Sequence, residues 1–215
     1  MTPNEISTLI AETLQRQLDL PFRLAVFDKF KLWRSTLIKN AIQKQPNMKN
    51  MFVQTIILKA APYSSKGCAD GPNCIDGART IKPIPLAIRV GNSPYDYVGG
   101  VQGDNSYSYG APTAARYIGQ GKYSKTNTFW YMSNQYIVVS NPIVTDVRID
   151  DVFDDPLEAK RLSCEAQNTP CDLWNEPYPA TTQDIIQQAI EYVIQSYTQI
   201  NVKPEDHESE IGDKA

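Results

Sequence analysis

Four aspartates crowd one short turn, Asp150, Asp151, Asp154 and Asp155. Carboxylates spaced in this way could hold a divalent cation through their oxygens. The turn lacks the glycine and the distal glutamate of an EF-hand loop, however. Pro156-Leu157-Glu158-Ala159 follows directly and opens a helix, so the acids stand where they cap its N-terminus. Capping is the stronger reading. The lone histidine, His207, lies in the polar stretch Glu205-Asp206-His207-Glu208-Ser209-Glu210, which leaves a His-based triad or metal centre little to stand on. Gly99-Gly100-Val101-Gln102-Gly103 is rich in glycine, but neither Gly-Lys-Ser/Thr nor a helix pattern follows, which argues against a phosphate cradle.

The four cysteines form two local pairs, Cys68/Cys74 and Cys164/Cys171. Neither pair has the two-residue gap of a zinc knuckle, and no histidine stands nearby. Each lies in a loop-like stretch where a disulfide could close. Free thiols are the default in a reducing cytoplasm, whereas a local disulfide suits an extracellular particle. No catalytic, cofactor-binding or metal-binding residue emerges, and the chain is not expected to be an enzyme. A metal-dependent hydrolase built on the aspartates would need ligands that the sequence does not assemble.

Charge points instead to surfaces. Residues 1–60 carry nine Lys/Arg against four Asp/Glu, while residues 146–215 carry five against sixteen. A basic front and an acidic back could meet head-to-tail between subunits, as a ring requires. The residues expected at such a partner interface are Lys31, Trp33, Arg34 and Lys39 on the basic side, with Asp150, Asp151, Asp154 and Asp155 on the acidic side. Twelve tyrosines, concentrated between Tyr95 and Tyr136, raise a second possibility, a tail or receptor-binding module that contacts host glycans. No run of about 18 apolar residues is present, so no membrane span is expected. No secretion signal precedes the first helix, which points to synthesis in a cytoplasm.

These residues need elements to position them. Thr2-Pro3-Asn4-Glu5 reads as a capping box, and Ile6, Leu9, Ile10, Leu14 and Leu18 recur at helical spacing. A helix over 3–19, ended by Pro21, follows. A second helix carries Val26, Phe27, Phe30, Trp33, Leu37, Ile38, Ala41 and Ile42 on a broad apolar face, and Pro46 stops it. From Met51 the period shortens. Strands are expected at 52–60, 84–90, 95–101, 115–118, 128–132, 136–139 and 144–149, with a tight hairpin at Met132-Ser133-Asn134-Gln135. A final amphipathic helix presents Ile185, Ile186, Ala189, Ile190, Val193, Ile194 and Tyr197. The expected class is α+β, an N-terminal helical arm and a C-terminal helix packed on a central β-sandwich or open barrel. The expected divisions are a helical arm over 1–46, a β-rich domain over 51–149, a helical segment over 150–200 that completes it, and an acidic, flexible tail over 201–215.

Three stretches carry a family resemblance: the basic helix from Lys31 to Asn40, the run from Thr80 to Arg89 leading into Ser93 to Gly99, and the segment from Val147 to Ala159 with Tyr178-Pro179 and the last helix. Together they resemble the head–tail connector, or neck ring, proteins of crAss-like and related short-tailed bacteriophages. The resemblance implies a structural virion protein without catalysis or cofactor. It implies a homo-oligomeric ring of twelve copies beneath the portal protein, in contact with neighbouring neck or tail rings. Genomic DNA would pass through it without sequence-specific binding, and the protein would be assembled in the host bacterial cytoplasm. The cysteine-bearing stretches 68–74 and 164–171 depart from that pattern.

Overall fold

The computed structural model describes residues 1–63, 77–89, 94–103, 105–110, 128–166 and 170–201, with the side chains of residues 200 and 201 left aside. Helix α1 spans Pro3–Thr13 and begins with the expected reciprocal cap. The Glu5 amide donates to Thr2 Oγ1 at 3.1 Å, and the Thr2 amide donates to Glu5 Oε2 at 2.8 Å. The helix ends six residues before the expected 19, where Gln15 adopts a left-handed φ of 57°. Leu18 points into solvent. Pro21 begins a helix rather than ending one: α2 runs Leu20–Lys44, with Asp19 Oδ1 accepting from the Phe22 amide at 3.0 Å. Proline is tolerated in the first turn because its missing N–H has no intrahelical partner there. The Asp19 cap, not the proline, sets the boundary.

A 3₁₀ helix over Pro46–Met51 turns the chain into the sheet. The strands are β1 (Gln54–Tyr63), β2 (Gly77–Thr80), β3 (Tyr97–Gly99), β4 (Ser108–Tyr109), β5 (Phe129–Ser133), β6 (Tyr136–Val139) and β7 (Asp146–Asp151). They form one sheet in the order β3-β7-β1-β2-β6-β5-β4. Strand β1 is long enough to serve two neighbours: Gln54 to Lys59 pair with β7, and Ala60 to Tyr63 pair with β2, both antiparallel. The two edges of the sheet approach each other. Residues 105–107 bond to the β3 end, Gly100 N to Asn105 O at 3.0 Å and Tyr107 N to Val98 O at 2.8 Å, just before the chain enters β4. The sheet is therefore a nearly closed barrel, which leaves few edge groups open to misplaced pairing.

The β5–β6 hairpin forms as expected, with Ser133 opposite Tyr136 and positive φ at both Asn134 (49°) and Gln135 (66°), the pattern of a type I′ turn. Three strand assignments differ from expectation, the shortest being β4, which no expected run covers. Of residues 84–89, only Ala87 makes a bridge, to Phe153, because Pro83 and Pro85 remove ladder donors. Strand β2, unforeseen, lacks the β-branched run that marks a strand. Its Gly77 allows close backbone approach, since a Cβ there would run into the Val139 carbonyl. The expected strand at 115–118 lies outside the described residues, as do the tail from 202 onward and the Cys68/Cys74 pair.

Helix α3 (Pro156–Ala166) lies against β1, and α4 (Gln183–Asn201) lies beside α2. The barrel core gathers Ile56, Leu58, Val98, Trp130, Ile137, Val147, Ile149 and Phe153, closed by Ala159 and Leu162 of α3. A helical core joins Ile6 and Ile10 of α1, Phe22, Val26, Phe27 and Phe30 of α2, and Ile186, Ala189, Ile190 and Val193 of α4. A third cluster, Ile38, Ile42, Phe52, Ile88, Val152 and Ile185, welds the two layers together. The class is α+β, with N- and C-terminal helices packed on the barrel.

Candidate interaction site

The two groups of residues expected at an interface meet inside the subunit, where the middle of α2 crosses the acidic turn. Arg34 is fully buried. Its Nε donates to Thr181 Oγ1 at 2.8 Å, Nη1 to the carbonyls of Phe153 at 3.0 Å and Asp154 at 3.2 Å, and Nη2 to the Ala180 carbonyl at 2.9 Å. Burial depresses its pKa, yet a guanidinium stays charged, and neutral carbonyl dipoles carry most of its solvation. Burial likewise raises the pKa of Tyr178, whose ring lies 5.8 Å from the Arg34 guanidinium. Arg34 thus ties α2, the β7–α3 turn and the segment before α4 into one joint.

The aspartates divide the remaining work. Asp155 caps α3, its Oδ1 accepting from the amides of Leu157 at 3.0 Å and Glu158 at 3.3 Å, so the capping expected from the sequence is present. Its other oxygen meets Lys31 Nζ at 3.2 Å, and Asp28 meets the same ammonium at 2.9 Å. Burial opposes the charge on Lys31, but Asp28 and Asp155 outweigh it and hold its pKa above the usual value. Asp150 pairs with Arg148 at 2.8 Å along β7, and this contact raises the pKa of Arg148 against slight burial. Asp154 is exposed.

Asp151 is buried at the end of β7. It accepts from the amides of Val152 at 2.6 Å and Asp96 at 3.2 Å, and Lys49 Nζ lies 3.7 Å away while also pairing with Asp96. Burial drives its pKa up to about 6, and the Asp96 charge adds to the rise; the Val152 amide and Lys49 pull the other way. Among the described residues, no three Asp, Glu, His or Cys side chains gather as a metal site.

The expected interface residues therefore separate by exposure. Arg34 and Asp151 face inward and act within the subunit. Lys39 and Asp154 reach solvent, Lys31, Asp150 and Asp155 are half-buried in ion pairs, and half-buried Trp33 stacks on Tyr192 with centroids 4.8 Å apart. Sequence reasoning missed a second apolar feature of α2: Leu20, Leu24 and Leu32 are exposed, Leu32 by 67%. At about 100° per residue Leu24 lies about 40° and Leu32 about 120° round the helix from Leu20, so the three spread over a broad exposed part of α2 rather than along a line. The three leucines are legible in the sequence as apolar residues outside the set expected on the buried face. The described tyrosines are dispersed: Tyr95 and Tyr178 are buried, Tyr97, Tyr107, Tyr131 and Tyr136 half-buried, and Tyr109 exposed.

No curated protein matches the chain. No helix among the described residues is long and apolar enough to cross a membrane. Residues 22–213 match the family described as phage tail ring protein 2, a span that takes in the basic α2, the barrel, the Arg34 joint and α4. The match covers most of the chain, and its subject is a structural ring component of a phage particle. The chain belongs to the phage tail ring protein 2 family of crAss-like phage ring structural proteins.

Proposed function

We propose that this protein forms a ring in the head–tail connector, beneath the portal, joining capsid to tail and leaving a conduit for the genome. The observation that carries the reading is the two-sided character of α2. One side is locked in place, by Arg34, Ile38 and Ile42 toward the barrel and by Phe22, Phe27 and Phe30 toward α1 and α4, while Leu20, Leu24, Leu32 and Lys39 are left in solvent. A helix rigidly fixed on one side and apolar on the other is suited to bury that second side against an identical neighbour. Lys31, Trp33, Lys39, Asp150, Asp154 and Asp155 would lie at or near the subunit boundary, and Arg34 and Asp151 would support it from within. Twelve copies, contact with the portal and adjacent rings, and passage of DNA without base recognition complete the proposal. An acidic lumen would repel phosphates and let the duplex slide.

Electron microscopy of the purified protein, alone and mixed with the portal, tests this reading. The expected images show closed rings with an open centre, stacked coaxially on portal particles. A monodisperse monomer that leaves the portal bare would overturn it.

A further inference from the structure

Cys164, in the last turn of α3, and Cys171 form a disulfide, with their Cα atoms 6.2 Å apart. Both residues are only half-buried, so a small reductant or oxidant can reach them. The bond sits at the head of a strap, residues 171–181, that runs from α3 across the helical layer to the start of α4.

The strap is held unevenly. Its far end is anchored deeply: Tyr178 packs edge-on against Phe27 and Phe30, its amide donates to the Met1 carbonyl at 3.0 Å, and Ala180 and Thr181 hold Arg34. Its near end is mostly bonded to itself. Asp172 accepts from the amides of Trp174 and Asn175 at 3.2 Å each, and its carbonyl accepts from Glu176 at 3.1 Å. Outside contacts at this end are few: the Asn4 amide on the Trp174 carbonyl at 3.1 Å, Asn4 Nδ2 on Asn175 Oδ1 at 3.4 Å, the Trp174 ring 5.2 Å from Phe27, and a half-buried ion pair between Lys160 and Glu176. The disulfide is the one covalent tie at this end among the described residues.

We infer that Cys164 and Cys171 form a reversible redox site whose oxidation clasps the near end of the strap, residues 171–176, onto α1 and α2. Closing the bond removes two protons and two electrons from the two thiols. A low-molecular-weight disulfide such as oxidised glutathione accepts them and is itself cleaved to two thiols. In the reduced chain the near end opens locally, and opening stops at Tyr178, where the aromatic core and Arg34 take over. The inference concerns the folded subunit and does not depend on ring formation.

Hydrogen exchange read by mass spectrometry tests it on the full-length protein, oxidised and after treatment with a phosphine reductant. Reduction should speed exchange by about tenfold or more at Trp174 to Glu176 and at Asn4, while amides from Tyr178 onward in the strap stay unchanged. The Cys164→Ser/Cys171→Ser variant separates this pair from Cys68 and Cys74. It should exchange like the reduced protein at these amides and no longer respond there to the phosphine. Chymotrypsin should correspondingly cut after Trp174 faster in the reduced chain. Equal exchange at residues 172–176 in both states would overturn the inference. So would a variant matching the oxidised protein, or acceleration spread evenly through Tyr178 and α4.

Discussion

Replacing Arg34 with alanine strands the buried Phe153 carbonyl and the part-buried Ala180 carbonyl and removes the donor to Thr181, at a site where Arg34 itself is fully buried. Leaving buried acceptors unpaired is more costly than the net gain from forming such bonds, so Arg34→Ala should destabilise the fold by about 3 kcal/mol in urea denaturation. Arg34→Lys should recover only part of this, because one ammonium cannot span acceptors that a planar fork reaches together. Asp151 makes a prediction of opposite character. Its folded pKa of about 6 stands well above that of an ordinary aspartate, so its protonated form is favoured by folding. Stability from this group is therefore greatest in acid and is lost as pH rises through about 6. Thermal melts from about pH 7 to about pH 5 should show a gain of about 1 kcal/mol, absent in Asp151→Asn. Below ~pH 4 the trend should reverse, because ion pairs or hydrogen bonds depress the pKa values of Asp19, Asp146, Glu165, Asp172 and Glu176, and protonation removes those contributions.

Substitution can separate the part helix α2 plays in the fold from the part proposed for it in assembly. Its start depends on the Asp19 cap, so Asp19→Ala should cost about 1 kcal/mol in denaturant melts and leave assembly intact once folded. Its exposed leucines contribute little to the isolated subunit. Leu24→Asp and Leu32→Asp should change unfolding stability by about 0.5 kcal/mol or less, while shifting sedimentation from rings toward single subunits. Retained rings in both variants would place the subunit contact elsewhere on the molecule.

At the scale of the whole molecule, charge is divided along the chain, basic over residues 1–60 and acidic from 146 onward. Part of this division is neutralised within the subunit, as Lys31 with Asp155 and Lys59 with Asp146 show. The remainder includes exposed Lys39 and Lys44 on α2 and exposed Asp184 and Glu191 on α4. If opposite charges on adjacent subunits guide ring closure, raising ionic strength from about 50 mM to about 500 mM should loosen isolated rings, because it shortens the screening length severalfold. Light scattering across that range checks this, and a flat response would leave apolar contact as the sole driver of assembly.

Local patterning alone determined the α+β class, the Thr2–Glu5 capping box, the apolar faces of α2 and α4, and the Asn134-Gln135 hairpin. Each is written in residues three or four apart, or in a turn of two, where short-range sterics and burial decide the outcome. The same local reading misplaced the end of α1, because a proline signals a stop or a start depending on the residue that caps it. It missed β2, a strand specified by its neighbours on either side rather than by its own side chains. Only the tertiary structure closed the sheet into a barrel, decided that the Cys164/Cys171 pair is a disulfide rather than two thiols, and drew Arg34 and Asp151 inward. The reason is distance along the chain. Arg34 finds its acceptors more than a hundred residues away, and no pattern in the sequence around it reveals that carbonyls of Phe153 and Ala180 will take the place of water.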